Sequence, residues 1–224
     1  MKRANYSHIR VGVFLSFLSG ALDAYTYLRQ GRVFAGMQTG NIILMLIRLS
    51  QGALVEVLPY LVSIIMFCLG TFLAKAIQDL AKYGSRHHSG TLILLYEMVL
   101  LCLASIFERD SPSLLVTSLI ALAASAQFLE FRSLKDYSYA NNMMTGNLRN
   151  FISALYDAWI LKERKAEEKA HAIGRVIVSF MLGVLVSALM ASHIGAYSMW
   201  FLVFGLMVVI GLAHFQLNLI EDMD

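Results

Sequence analysis

Apolar stretches long enough to cross a bilayer recur along the chain, and they constrain its fold more than any other feature. A helix needs roughly 20 predominantly apolar residues to cross the hydrocarbon core. The chain has 224 residues, of which 58% are hydrophobic and only 15% charged, so little of it remains for a soluble domain. We expect a single integral membrane domain over 1–224. The predicted spans are 11–28, 58–81, 91–107, 113–131, 172–193 and 195–217.

These apolar runs are continuous rather than alternating, which favours helices over a β-barrel. The strands of a membrane barrel are about 10 residues of alternating polarity, and lipid admits only helices or closed barrels. The sequence therefore predicts an all-α membrane protein. Pro59 and Pro112 stand near the starts of two predicted spans, where proline suits the first helical turn.

A five-residue motif occurs twice, about half a chain apart. Each copy follows a span with a polar side chain near its end and precedes a span that contains Phe-x-x-Gly. This shared order predicts a duplication, with homologous halves at 11–107 and 113–217. The two copies are Met37-Gln38-Thr39-Gly40-Asn41 and Met143-Met144-Thr145-Gly146-Asn147.

The segments that follow the motifs, 39–50 and 145–160, decide the number of crossings. The first is apolar but short, and the second is too polar to face lipid. Lys and Arg favour the cytoplasmic side, and they segregate more clearly with six crossings than with eight. We expect about six transmembrane helices plus two short broken or re-entrant helices that start near each Thr-Gly-Asn. Eight transmembrane helices, four per half, are the alternative.

The crossing number also sets the symmetry and the orientation. Three crossings per half invert the second half relative to the first, whereas four make the halves parallel. Basic residues precede the first span, at Lys2, Arg3 and Arg10, and others crowd the predicted loop 161–171. Both segments are therefore expected in the cytoplasm, with the loop solvated.

The duplicated Thr-Gly-Asn sequences are the first candidates for a binding site. Threonine can cap exposed helix amides, and glycine lets the chain turn sharply. Helix N-termini attract anions and carbonyl oxygens, and transporters use paired broken helices in this way. Ordinary capping and close helix packing are the alternative. The predicted substrate-binding residues here are Thr39, Gly40, Asn41, Thr145, Gly146, Asn147 and the nearby Arg149.

Ionisable and polar residues inside the spans form a second set of candidates. Asp23 lies deep in the first span, Gln127 is its counterpart in the repeat, Glu130 follows one turn later, and Glu97 has only apolar neighbours. Such groups are costly in a membrane and usually face a cavity or a partner. We expect Asp23 and Gln127 to bind substrate. The groups expected to couple an ion or a proton are Asp23, Glu97 and Glu130. Structural hydrogen bonds, or an ion pair between Asp23 and an arginine after it, are the alternative.

Several classes of function find no support in the sequence. The six histidines form no ligand set, so no metal site is expected. Walker, Gly-x-Ser-x-Gly and Cys-x-x-Cys motifs are absent, and no basic domain suits nucleic acid. We expect no cofactor and no enzymatic activity. The expected partners are the lipid bilayer and a small solute, and a homodimer is compatible with so small a chain.

The same residues resemble those of a known family. The chain is similar over essentially its whole length to the YoaK family, also called DUF1275 or UPF0700, whose members are bacterial membrane proteins of unknown function. The resemblance implies a location in the bacterial plasma (inner) membrane, and it implies no reaction; the cytoplasmic N-terminus is predicted from the basic residues before the first span. It rests on Gly20, Asp23, Ala24, Met37, Thr39, Gly40, Asn41, Gln127, Met144, Thr145, Gly146 and Asn147.

The function that these features favour is a small secondary transporter or permease. It would bind a small polar or anionic solute between the duplicated helix starts, coupled to a proton or an ion. A structural or regulatory membrane protein that transports nothing is the alternative. An intramembrane enzyme is a weaker one, because the sequence offers no nucleophile–base pair.

Overall fold

The structure is a computed structural model that describes residues 9–81, 89–108, 113–131, 133–134, 137–138 and 144–221. Almost all of the described residues are helical, which confirms the all-α prediction. A 3₁₀ turn, Gly195–Tyr197, joins the last two helices, and two very short antiparallel strands, β1 (Ser133–Leu134) and β2 (Tyr137–Ser138), form a small hairpin. The helices are α1 Ile9–Arg29, α2 Gln38–Ser50, α3 Leu54–Ala81, α4 Ser89–Phe107, α5 Ser113–Glu130, α6 Met144–Trp159, α7 Arg164–Ile194 and α8 Ser198–Glu221.

Helix length and composition identify a multi-pass membrane protein. Helices α1, α3, α4 and α5 are each long and apolar enough to span a membrane, as is Arg164–His214, which contains α7 and most of α8. The two shorter helices are α2, with 13 residues, and α6, with 16 residues. Both begin within the duplicated motifs, as predicted. The number of crossings stays a prediction.

Two local expectations were wrong. The predicted charged loop 161–171 is mostly helical, because α7 begins at Arg164. Lys, Glu and Ala are strong helix formers, and Ala166 and Ala170 give this charged turn a buried face. Pro59 lies inside α3, more than one turn after the start of that helix, so it does not occupy the first turn. Pro112 lies outside the described residues.

Helices α1 and α7 form the most extensive contact of the bundle. Ser179 of α7 donates a hydrogen bond of 2.7 Å to the carbonyl of Val13. Two turns later Ser187 donates one of 2.8 Å to the carbonyl of Ala21. Because both residue numbers increase together, the two helices run in the same direction.

Helices α3 and α5 pack in the same manner. Gly70 of α3 lies so close to α5 that a Cβ at this position would come within 2.7 Å of the Leu122 carbonyl. Two turns later the Gln78 amide donates to the Glu130 carboxylate at 2.6 Å. These helices are therefore parallel as well.

Polar contacts at the two ends of the bundle give each helix a direction. At one end α1 and α4 finish together, where Arg29 Nε lies 3.6 Å from Glu108 Oε1. At the other end Ser89, which starts α4, donates to Glu130, which ends α5, at 2.8 Å. We call these ends the Glu108 side and the Glu130 side. Helix α5 thus runs opposite to α1.

The packing is symmetric when α1–α4 are exchanged with α5–α8. The α1·α7 contact then becomes α5·α3, α2·α3 becomes α6·α7, and α4·α5 becomes α8·α1. Because α1 and α5 run in opposite directions, the second half is inverted relative to the first. Three crossings per half would produce this arrangement, and the duplication itself stays a prediction.

The closest helix contacts predict a sharp difference between two glycines. A Cβ at Gly183 of α7 would clash with the backbone of Phe17, whereas one at Gly211 of α8 would meet nothing within 4 Å. Overpacking costs about 1–3 kcal/mol. We expect Gly183→Ala to lower the melting temperature of the detergent-solubilised protein by several degrees. Gly211→Ala is the matched control and should leave it unchanged or slightly higher. Equal melting temperatures would contradict the packing of α1 against α7.

Candidate functional site

The loop between α1 and α2 turns back into the bundle. Gly31 and Arg32 have positive φ angles of 82° and 62°. After this turn, Asp23 Oδ1 accepts hydrogen bonds from the backbone N–H groups of Gly36 at 2.7 Å and Met37 at 3.4 Å. Asp23 stands six residues before the end of α1, so α2 begins ~9 Å inside that end, at 1.5 Å per residue. Helix α2 therefore begins alongside the last turns of α1 rather than beyond its end.

Asn41 fixes the returning loop from the other side. Its amide accepts from the Phe34 N–H at 2.9 Å and donates to the Phe34 carbonyl at 2.8 Å. The same amide donates to Gln38 at 2.9 Å and to Ser63 of α3 at 3.2 Å. Ser63 donates in turn to the Phe34 carbonyl at 3.0 Å. Asn41 and Ser63 are fully buried, so these bonds are sheltered.

Thr26 completes this set of contacts. Its hydroxyl accepts from the Ala35 N–H at 3.1 Å and donates to the Leu22 carbonyl at 3.0 Å. Side chains thus satisfy backbone groups at every position from 34 to 37. We call Asp23, Thr26, Asn41 and Ser63 the polar clasp.

The clasp gives Asp23 and Asn41 the structural hydrogen bonds that were the alternative to ligand binding. Arg29, which follows Asp23 on α1, pairs with Glu108. Sequence reasoning missed Thr26 and Ser63. Thr26 had a detectable signal, because it lies three residues after Asp23 and therefore on the same helix face. Ser63 had a weaker one, as the single polar residue among the apolar neighbours 60–69 of α3.

The local roles predicted for Thr39 and Gly40 were wrong. Helix α2 begins at Gln38 with no side-chain cap, and Thr39 is exposed. Gly40 lies within the helix against Met37 and Phe34, where an added Cβ would come within about 3.0 Å of both side chains. Asp23 on the preceding helix binds the N–H groups of Gly36 and Met37, just before α2, and Gly31 makes the turn expected of Gly40.

The second motif starts α6 in a different environment. Met144 packs in a small apolar cluster with Val13 of α1 and Val176 of α7. Asn147 is buried, and its amide lies 3.9 Å from the Met144 sulfur. Thr145 is exposed, and nothing lies within 4 Å of a Cβ added to Gly146. The predicted residues before position 144 lie outside the described residues.

Arg149 and Gln127 lie apart from each other. Arg149 is exposed and donates to the neighbouring Asn150 at 3.4 Å. Gln127 is fully buried, accepts from Ser19 at 3.3 Å and donates to the Leu15 carbonyl at 3.2 Å. Gln127 therefore joins α5 to α1, whereas its counterpart Asp23 joins α1 to the start of α2.

The two motifs lie against opposite ends of α1. The start of α2 contacts Asp23, near the Glu108 side, and the start of α6 packs with Val13, near the Glu130 side. Val13 and Asp23 are ten residues apart, or roughly 15 Å along the helix. The structure therefore does not bring the two Thr-Gly-Asn sequences into one pocket.

Glu97 is the least satisfied polar group in the bundle core. It is fully buried on the inner face of α4, and within the described part of the chain neither carboxylate oxygen has a hydrogen-bond partner. Leu94 and Leu101, one turn away on either side, belong to the main apolar core. Counting back from Glu108, which lies beside Arg29, places Glu97 near the level of Leu18. That level is midway between the starts of α2 and α6.

Glu130 has partners that Glu97 lacks. Its two carboxylate oxygens accept from Gln78 at 2.6 Å and from Ser89 at 2.8 Å. It thus joins three helices at the Glu130 side. Across the described residues, no group of three or more His, Cys, Asp or Glu is placed to hold a metal ion.

Comparison with known proteins adds a family match. The model of DUF1275, described as a protein of unknown function, matches residues 11–212. The UPF0700 transmembrane protein YoaK of Bacillus subtilis (strain 168) is 23% identical over 203 residues, which cover 87% of this chain and 90% of that protein. No solved structure matches.

The clasp predicts that Asn41 matters for stability and Thr39 does not. Asn41→Ala leaves the buried Phe34 N–H without its partner, at a cost of ~1–3 kcal/mol per unpaired group. We expect a lower melting temperature in detergent and faster proteolysis between 30 and 37. Thr39→Ala, in the same turn but exposed, should behave as wild type. A wild-type melting temperature for Asn41→Ala would show that the clasp does not hold the loop.

Proposed function

The chain belongs to the DUF1275 family, and on that premise we propose that it is a small secondary transporter of the bacterial plasma membrane. The observation that carries the proposal is the buried carboxyl group of Glu97, which has no hydrogen-bond partner among the described residues and lies midway between the starts of α2 and α6. Family membership supplies the membrane setting, and the mechanism is argued from the residues of this chain.

The inverted packing of the two halves supports alternating access. Inverted repeats let one bundle rock against another around a fixed central site, and many secondary transporters are built this way. Here each half contributes a short helix, α2 or α6, packed mainly on α3 or α7 of its own half. The two short helices start on opposite sides of the bundle, so each is placed to close one end of a path along α1.

The polar clasp acts as the gate on the Glu108 side. Backbone groups at 34–37 are held by side chains from α1, α2 and α3. A displacement of α3 relative to α1 would break several of these bonds together and expose polar backbone to the path. Released amides at the start of α2 would then attract an anionic or carbonyl group. A small polar or anionic solute is therefore the substrate class that we propose.

Glu97 is the coupling group in this mechanism. A lone carboxylate in apolar surroundings is costly unless a proton or a cation accompanies it. Its position between the starts of α2 and α6 lets it exchange that proton or cation with either side in turn. We propose a proton as the coupled ion, because no second acidic residue is placed beside Glu97 on the buried face of α4.

The remaining parts of the proposal follow from charge placement and size. The basic residues before α1 and at the start of α7 favour a cytoplasmic position for the Glu130 side, and with it for the N-terminus. The lipid bilayer and the solute are the proposed partners, with a homodimer as an addition. No enzymatic step is part of the proposal.

Glu97→Gln tests the coupling role directly, because glutamine keeps the shape of the side chain but cannot ionise. Purified protein in proteoliposomes carrying an internal pH dye would be screened with small polar and anionic solutes under an imposed pH gradient. We expect one or more solutes to enter together with protons. In Glu97→Gln the gradient-driven uptake should fall at least tenfold while the melting temperature stays the same or rises.

Glu56→Gln is the matched control for that experiment. Glu56 is a carboxylate outside the core, 59% exposed in its side chain and paired with Arg48. The variant should take up solute as wild type does. Absence of solute-driven proton movement across the whole screen, or undiminished uptake in Glu97→Gln, would count against a proton-coupled transporter.

A further inference from the structure

An open cleft of about 520 Å³ lies between α1, α6 and α7. Its walls are mostly apolar and include Val13 of α1, Phe151 of α6, and Val178 and Leu182 of α7. It contains none of the Thr-Gly-Asn residues and does not include Glu97. Its size is typical of a small-ligand site, and nothing in the proposed transport cycle uses it.

A histidine and an arginine lie at one end of this cleft. His171 and Arg175 lie one turn apart on α7, in line with Val178 and Leu182 one and two turns further on. Both are exposed, and in the described part of the chain neither makes a hydrogen bond or an ion pair. A free guanidinium beside an apolar wall suits a ligand with an anionic head and a hydrocarbon body.

The position of Arg175 on α7 matches the depth of lipid headgroups. The run 176–192 that follows it contains no charged residue. As a helix this run is roughly 26 Å long, close to the ~30 Å thickness of a bilayer hydrocarbon core. Arg175 therefore lies at the boundary of the core, and His171 lies one turn further out. The acidic residues Glu167 and Glu168 are further toward the charged end of α7 and do not line the cleft.

The other half of the bundle has no such pair of side chains. Taking Phe67 and Phe180 of the two Phe-x-x-Gly sequences as equivalent, the positions of His171 and Arg175 fall on Leu58 and Val62 of α3. Packing within the inverted fold thus does not require basic residues here. His171 and Arg175 lie on α7, toward the same end of that helix as its basic start.

We propose that this cleft binds one anionic phospholipid, with its headgroup phosphate at Arg175 and His171 and an acyl chain along Val13, Val178 and Leu182. Basic pockets between transmembrane helices recognise anionic headgroups by the same chemistry. Phe151 packs over Gly174, and its ring lies 3.1 Å from where a Cβ added to Gly174 would be. Phe151 thus makes α6 the third wall of the cleft. The bound lipid would hold α6 against α7 and α1.

Native mass spectrometry of the full chain tests the proposal. Protein in detergent micelles would be titrated with phosphatidylglycerol and, separately, with phosphatidylcholine. The micelle would then be removed in the mass spectrometer and the bound lipids counted. We expect one phosphatidylglycerol to bind at least fivefold more tightly than phosphatidylcholine. The double variant His171→Gln and Arg175→Gln should lose this preference, and high salt should weaken it in the wild type.

Two controls separate the outcomes. Arg164→Gln changes an exposed arginine at the start of α7 that does not line the cleft, so it should keep the preference. Equal binding of the two lipids by the wild type, or an unchanged preference in the double variant, would overturn the proposal. So would displacement of phosphatidylglycerol by millimolar inorganic phosphate, which would show a site for small anions instead.

Discussion

Backbone N–H and C=O groups inside an apolar bundle must find hydrogen-bond partners. The loop before α2 can turn into the bundle because side chains supply those partners. Within a membrane no water replaces a missing hydrogen bond, and each unpaired group costs several kcal/mol. Within the described part of the chain, the N–H groups of residues 34–37 and the Phe34 carbonyl bond to side chains rather than to other backbone groups. Asp23 and Thr26 from α1, Asn41 from α2 and Ser63 from α3 are those partners. The position of α2, and therefore the shape of the first half, depends on these four side chains.

Much of the architecture could be predicted from the sequence because apolar length is a strong signal in membranes. The continuous runs located six long helices, and the repeated motif located the starts of α2 and α6. Charge misled the prediction at 164–171, because charged helix formers extend a transmembrane helix into water as readily as they form a loop. The start of α2 also could not be predicted, since the carboxylate that holds the chain just before it comes from Asp23 on another helix.

The two halves differ where polar groups meet the core. Asp23 of the first half binds the amides before α2, and its counterpart Gln127 instead joins α5 to α1. An amide can donate and accept at once, so Gln127 suits a contact between two helices. A carboxylate only accepts, so Asp23 suits a row of N–H groups. The two halves thus use different polar chemistry at corresponding positions.

Asp23 and Glu97 are both buried in this bundle, and their surroundings suit them to opposite tasks. Asp23 accepts hydrogen bonds from the backbone N–H groups of Gly36 and Met37, and loss of those bonds would weaken the loop on which the shape of the first half depends. Glu97 has no donor among the described residues, so no structural bond is lost when its charge changes. A group that gains and releases a proton in every cycle must do so without dismantling its own support. Glu97 meets that condition and Asp23 does not, which is why the coupling role proposed above falls to α4 and structural support to α1.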